Sequence, residues 1–231
     1  MRVSPKASFR EVLTDARRRG FAAGWFNVNG LEYLQAIVEV AKQERSTVIL
    51  GVSEGVMKYV GLDYTVALAN AAQMKATVPV ILHLEHGPNF ELVMECVRHG
   101  FDAVMVDGSH DPLAENIART KQVVEVCHTA GVNVEGELGR IGVAQDELNM
   151  DERDATLARP DEDIQQAIRE SQSDITRVVR QSLENPKVFD PRKDLGPAGA
   201  AMKETIRAKI RLFRSIGRYH ICRLEAASNA A

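Results

Sequence analysis

Apolar and polar positions along this chain follow two periods in turn. Short apolar, largely β-branched runs fall at 22–27 (AAGWFN), 47–52 (TVILGV), 78–84 (VPVILHL), 103–107 (AVMVD) and 132–138 (VNVEGEL). Runs of that length read as strands covered on both faces, as in a parallel sheet. Between them the apolar residues recur at helical spacing, with Leu31, Leu34, Val38 and Ala41 on one stripe and Leu113, Ile117, Val124 and Cys127 on another. Residues 8–19 form a short basic helix ahead of the first strand, with Phe9, Val12 and Leu13 on one side. End signals agree with this division. Asn29 stands three residues before Glu32 as a capping box, Asp63 and Asn89 are placed to cap, Pro112 opens a helix after Asp111, and Gly100 and Gly131 follow helix ends where left-handed backbone is needed. Five strand–helix units of about thirty residues, without hairpin turn signals, predict a parallel sheet with right-handed crossovers. A (βα)8 TIM barrel is the first reading of this α/β pattern, and a doubly wound sheet the second.

The pattern changes after residue 140. Residues 144–163 are acidic and polar and read as a solvated loop. From 164 to about 183 the spacing predicts a helix. Pro186, Pro191 and Pro197 mark a turn-rich joint, and a last helix follows with Met202, Ile206, Ile210 and Phe213 inward. The expected division is a partial barrel over 1–160, a helical C-terminal arm over 161–218 and a frayed tail over 219–231.

Composition narrows the function classes. The chain has 231 residues, 45% hydrophobic and 26% charged, with a net charge of −3. That is enough for a sizeable core, and without a basic block nothing points to nucleic acid. No apolar run approaches the ~18 residues of a membrane span, and the N-terminus lacks an apolar signal core, so a cytoplasmic protein is expected. Cys96, Cys127 and Cys222 are odd in number and widely spaced, which argues against a disulfide framework.

The candidate chemistry sits at the end of the third strand. VPVILHLEHG runs apolar and then sets His83, Glu85 and His86 where the C-terminal ends of parallel strands open onto a site. A carboxylate beside an imidazole there suits an acid/base next to a metal ligand. From spacing alone, the same residues equally suit polar loop positions satisfied by neighbours.

Taken together, FNVNGLEYLQAIVEVA, ILGVSEG, VPVILHLEHG, VMVDGSHDPLAENIARTK, VNVEGELGRIG and NPKVFDPRKDLGPAGAAMKETIRAKIRLF resemble the class II, zinc-dependent fructose-bisphosphate aldolases, over roughly 8–160 and 175–218. The resemblance implies a (βα)8 barrel and a homo-oligomer built through C-terminal helices. It implies reversible cleavage of a sugar bisphosphate, fructose 1,6-bisphosphate, to dihydroxyacetone phosphate and glyceraldehyde 3-phosphate. Carried over by position, it makes His86 and Glu137 ligands of zinc (Zn2+), and Glu85 the catalytic carboxylate. Asn27 and Ser53 then contact substrate, and Asp107 and Ser109 support the metal's ligands.

Three departures bear on that expectation. The family's catalytic aspartate is Glu85 here. In the loop after the fifth strand, RIGVAQDEL, Val143 replaces a glycine and Gln145 falls at the place of a proton-transferring glutamate. The last barrel strands are also expected to be missing, with the junction near 160–175: GTSHG-, HGGSG- and NIDTD-type motifs do not occur, and no histidine lies between His128 and His220. The zinc ligand set is then incomplete and the barrel stops at about five strands. An inactive remnant serving as an interaction or structural protein stays open as the alternative to a lyase.

Overall fold

The structure is a computed structural model that describes residues 7–138, 166, 169–173, 203–204 and 206–211, together with the backbone of 175–178. The acidic segment 144–163, the loop carrying Val143 and Gln145, the proline-rich joint, Met202, Phe213 and the tail 219–231 lie outside the described residues.

The chain runs α1 (Phe9–Arg19), β1 (Gly24–Asn27), α2 (Leu31–Glu44), β2 (Val48–Ser53), α3 (Glu54–Val60), α4 (Leu62–Lys75), β3 (Val80–Gly87), α5 (Phe90–Arg98), β4 (Ala103–Val106), α6 (Leu113–Thr129), β5 (Asn133–Leu138) and β6 (Ile175–Val178). All neighbouring strands pair in parallel, in the order β1-β2-β3-β4-β5-β6. A doubly wound sheet reverses its strand order at a switch point, and this one does not, which leaves the barrel type. Among the described residues β6 does not pair with β1, so the barrel is open.

Two local expectations are corrected. Residues 164–183 are not one helix, since Ile175–Val178 extends the sheet beside β5, Glu137 standing opposite Arg177. ITRV is too short and mixed to show a strand by its own pattern; the free edge of β5 supplies the partner. Second, Asn29 does not cap α2, which begins after Gly30 without a side-chain cap, and Asp63 lies inside the first turn of α4 after Gly61. Asn89 does cap α5, accepting from the Leu92 N–H at 2.9 Å.

The strands divide their side chains between two layers. Val104, Val106, Leu82, Leu84 and Val134 face the helices and pack with Val93, Cys96, Val123, Val124 and Cys127. The other parity faces the barrel interior, where Ile49, Ile81 and Ala103 meet Phe9 and Val12 of α1, which plugs the end remote from the strand C-termini. Above this plug lie Trp25 and His83, with ring centroids 4.2 Å apart, and Gly51 leaves the indole its room: a Cβ there would overlap Trp25 Nε1. Residues 206–211 are helical and bring Ile206 and Ile210 into the core cluster of α2 and β2, while Arg207 and Arg211 reach Glu44 and Lys203 reaches Glu39.

Candidate metal centre

The C-terminal ends of β3, β4 and β5 carry the site. Leu82 and Leu84 face the helix layer, so an unbroken two-residue period would send His86 there too. It does not. The β3–β4 register shifts between Leu84 and Gly87, and His86 has φ 49°, left-handed backbone that a non-glycine residue rarely adopts. Gly87 lets the bulge close onto β4, because a Cβ there would meet the Met105 carbonyl at 2.5 Å. The result is that His86 turns toward the residue after β4, while Glu85 stays in register with Ser53.

His86 Nδ1 lies 2.7 Å from Asp107 Oδ2 and 3.4 Å from Glu137 Oε2. Ser109 donates to Asp107 Oδ1 from its hydroxyl at 2.6 Å and from its backbone N–H at 3.1 Å. From α6, Arg119 pairs with Asp111 at 2.9 Å and reaches the Asp107 carbonyl at 3.4 Å, clipping the β4–α6 loop from outside. Glu137 is buried, 1% exposed, and the His86 side chain is 40% exposed. The electrostatics follow. The hydrogen bond to Asp107 raises the His86 pKa; burial opposes it, and the Glu137, Asp107 and Glu85 charges add to it. Burial pushes the Asp107 carboxyl up, but hydrogen bonds from His86 and Ser109 outweigh it and hold the group well below the ordinary carboxylate range.

His86, Asp107 and Glu137 offer ligand atoms that all lie within 4.8 Å of one another. The His86 imidazole and the Glu137 carboxylate are donors that fit a divalent cation, with the Asp107 carboxylate against the ring. Asp107 on Nδ1 fixes the ring and leaves Nε2 for ligation, the carboxylate–histidine arrangement of many metal sites. Of the residues singled out by sequence, the structure brings His86, Glu137, Asp107 and Ser109 together. Glu85 lies beside them, half-buried, its charge felt by His86. Asn27 ends β1 and stands opposite Gly51. Ser53 ends β2, and its hydroxyl oxygen accepts from the Val56 N–H at 3.4 Å as the N-cap of α3, a helix the sequence reading did not anticipate. His110, on the same loop, is exposed.

Two groups were missed. One is Glu135, in a fully buried pair below the site with His83, Nε2 to Oε2 3.3 Å; His83, singled out beside Glu85 and His86, is spent in that pair. Asn116 and Thr120 are polar residues on the buried face of α6. The signal for the second was present: both interrupt the apolar stripe of Ile117 and Val124 at helical spacing.

The family model described as class-II fructose-bisphosphate aldolase matches residues 7–176. The chain belongs to that family. The fructose-bisphosphate aldolase of Staphylococcus aureus strain Mu50 is 35% identical over 283 residues, covering 93% of this chain and 99% of the relative. That of Thermus caldophilus is 33% identical over 299 residues, covering 90% and 98%. Among solved structures, the YdjI aldolase from Escherichia coli K12 superposes with a TM-score of 0.67 at 28% identity, covering 75% of this chain and 62% of that one. Fructose-bisphosphate aldolase from Campylobacter jejuni gives 0.59 at 25% identity, covering 72% and 54%. The chain therefore spans less than two thirds of the length of either solved relative.

Proposed function

We propose that this chain is a class II aldolase-type lyase that cleaves fructose 1,6-bisphosphate, or a close ketose bisphosphate, to dihydroxyacetone phosphate and glyceraldehyde 3-phosphate, as a step of glycolysis or gluconeogenesis. The observation that carries the reading is the convergence of His86, Asp107 and Glu137 at the strand ends of a chain of this family. His86 and Glu137 would hold zinc, which when bound would supply positive charge beside the substrate oxygens.

The chain's own residues do the rest. Asp107, gripped by Ser109, holds the His86 ring in one orientation and one tautomer. Glu137, set in β5, presents a carboxylate from a buried and therefore rigid position. Glu85 takes and returns the proton of the substrate hydroxyl next to the bond that breaks. Asn27 offers both a donor and an acceptor from the end of β1, and Ser53 keeps a hydroxyl proton to donate after capping α3. A homo-oligomer through the C-terminal helices is part of the proposal, as is a cytoplasmic location, supported so far as no helix among the described residues is long and apolar enough to cross a membrane.

A second reading, an inactive remnant, is favoured by one observation. The alignment with the Staphylococcus aureus enzyme extends over 283 residues, longer than this whole chain of 231. An internal deletion that removes the last strands, with a metal and phosphate site lost in part, accounts for that excess and for the absence, among the described residues, of a strand beyond β6. Aldol cleavage of fructose 1,6-bisphosphate, followed by coupled oxidation of the products with and without added zinc, separates the two. Zinc-dependent turnover supports the lyase; no turnover at any zinc concentration supports the remnant.

A further inference from the structure

We propose that Asn116 is a positioning residue of the metal centre, setting through one buried amide the spacing between the Asp107 loop and Glu137. The inference rests on the metal-centre reading above. Asn116 is 5% exposed, on the inner face of α6. Its Nδ2 donates to the Glu137 carbonyl at 2.8 Å, and its Oδ1 accepts from the Thr120 hydroxyl at 3.3 Å. The Glu137 carbonyl, which only accepts, fixes which end of the amide faces β5 and leaves Oδ1 to the Thr120 hydroxyl. The same side chain lies against Gly108, where a Cβ would stand 2.5 Å from Asn116 Oδ1 and 2.6 Å from Cγ. Gly108 sits between Asp107 and Ser109. One side chain therefore touches both segments that carry carboxylates facing His86.

The topology explains why such a contact is needed. β4 and β5 pair as far as Val106 opposite Gly136. One residue further, β4 has left the ladder for the loop that holds Asp107 and Ser109, and backbone pairing no longer sets its distance from β5. The Glu137 carbonyl takes the Asn116 amide instead. The position needs a donor for that carbonyl and an acceptor for Thr120 in one neutral group. Aspartate would put an acceptor against the carbonyl and a third negative charge near two carboxylates. Leucine, of similar size, would leave the carbonyl and the hydroxyl unsatisfied.

The test is zinc binding, by isothermal titration calorimetry, to the full-length wild type and to Asn116→Asp, Asn116→Ala, Gly108→Ala and the double variant Gly108→Ala/Asn116→Ala. All four keep Glu85, His86, Asp107, Ser109 and Glu137. The single changes are expected to weaken zinc about tenfold to a hundredfold. The double variant should recover part of the Gly108→Ala loss, because the space vacated by Asn116 accepts the new methyl. Unchanged affinity in both Asn116 variants overturns the inference, and so does a double variant whose loss equals the sum of the singles. Should the Asn116 variants not fold, Thr120→Val, which removes the hydroxyl that anchors the amide oxygen, is expected to weaken zinc about threefold or more at an unchanged melting temperature, and unchanged affinity overturns the inference. A wild type that binds no zinc defeats the metal-centre reading instead. The imidazole 15N signal of His86 in Asn116→Ala then decides the positioning role: it should move as the Asp107 contact loosens, and an unmoved signal overturns it.

Discussion

His86 and Asp107 meet at 2.7 Å, although one ends β3 and the other follows β4. The contact exists because the bulge at Leu84–Gly87 reverses the side on which His86 would otherwise emerge. Under the proposed function it lets two adjacent residues, Glu85 and His86, serve one site from a single strand. Asp107→Asn keeps the shape of the side chain and removes its charge. Zinc affinity, measured by calorimetry, should fall about tenfold to a hundredfold with the fold intact by circular dichroism.

Glu85 tests the proton-transfer role separately from the metal. Glu85→Gln removes the exchangeable proton and leaves His86, Asp107 and Glu137 in place. Turnover should fall by ~10²–10⁴-fold while bound zinc, measured by elemental analysis, stays at the wild-type level. Glu85→Asp restores the family's residue at that position. It should not by itself raise turnover by more than a few-fold, since the departures after β5 are the larger difference.

The glycines of the interior layers are close-contact positions. Gly51→Ala would drive a methyl into the Trp25 indole, itself wedged against His83 and Phe9. The expected cost is about 1–3 kcal/mol in urea unfolding. Gly100→Ala is a useful contrast: nothing lies within 4 Å of its Cβ position, and its φ of 84° makes any penalty one of backbone conformation.

Burial pushes the Cys96 thiol up to about 12 from an ordinary value of 9.0. The unfolded chain loses this proton near pH 9, and the folded chain keeps it to about pH 12. Between those values the folded state binds more protons, so the contribution of this group lowers stability as pH rises, by up to ~1.4 kcal/mol per pH unit. Urea midpoints measured from pH 8 to 11 should fall less steeply in Cys96→Ala than in wild type. Iodoacetamide should label Cys96 in urea and not in the native protein at pH 8.

Ile210 is 1% exposed and belongs to the same core cluster as Leu34, Val38 and Val48. Ile210→Ala is therefore expected to cost about 2–5 kcal/mol of stability. Arg211→Ala removes an exposed pairing with Glu44 and should leave the urea midpoint close to that of the wild type.

Much of this arrangement is legible in the sequence because burial on two faces leaves a plain mark. β1 to β5 are read from their apolar runs, and the ends of α5 and α6 from Asn89, Pro112 and Gly131. What is not legible depends on contacts formed only in the fold. ITRV becomes a strand because β5 has a free edge to pair with, not because of its own pattern. Ser53 caps a helix that composition does not announce. At the site, His86 and Glu137 carry their chemistry in their residue type, whereas the meeting of His86 with Asp107 follows from a backbone bulge that no spacing rule shows. Asn116 is hidden for a similar reason: its role comes from a carbonyl on β5 and a glycine after β4, brought to it by the sheet.

Diffraction from crystals soaked in zinc, recorded on both sides of the zinc absorption edge, tests the metal centre most directly. An anomalous peak within coordination distance of His86 and Glu137, lost in His86→Ala, is the expected result. A protein that takes up no zinc there, or binds it away from the ends of β3, β4 and β5, would contradict the assignment.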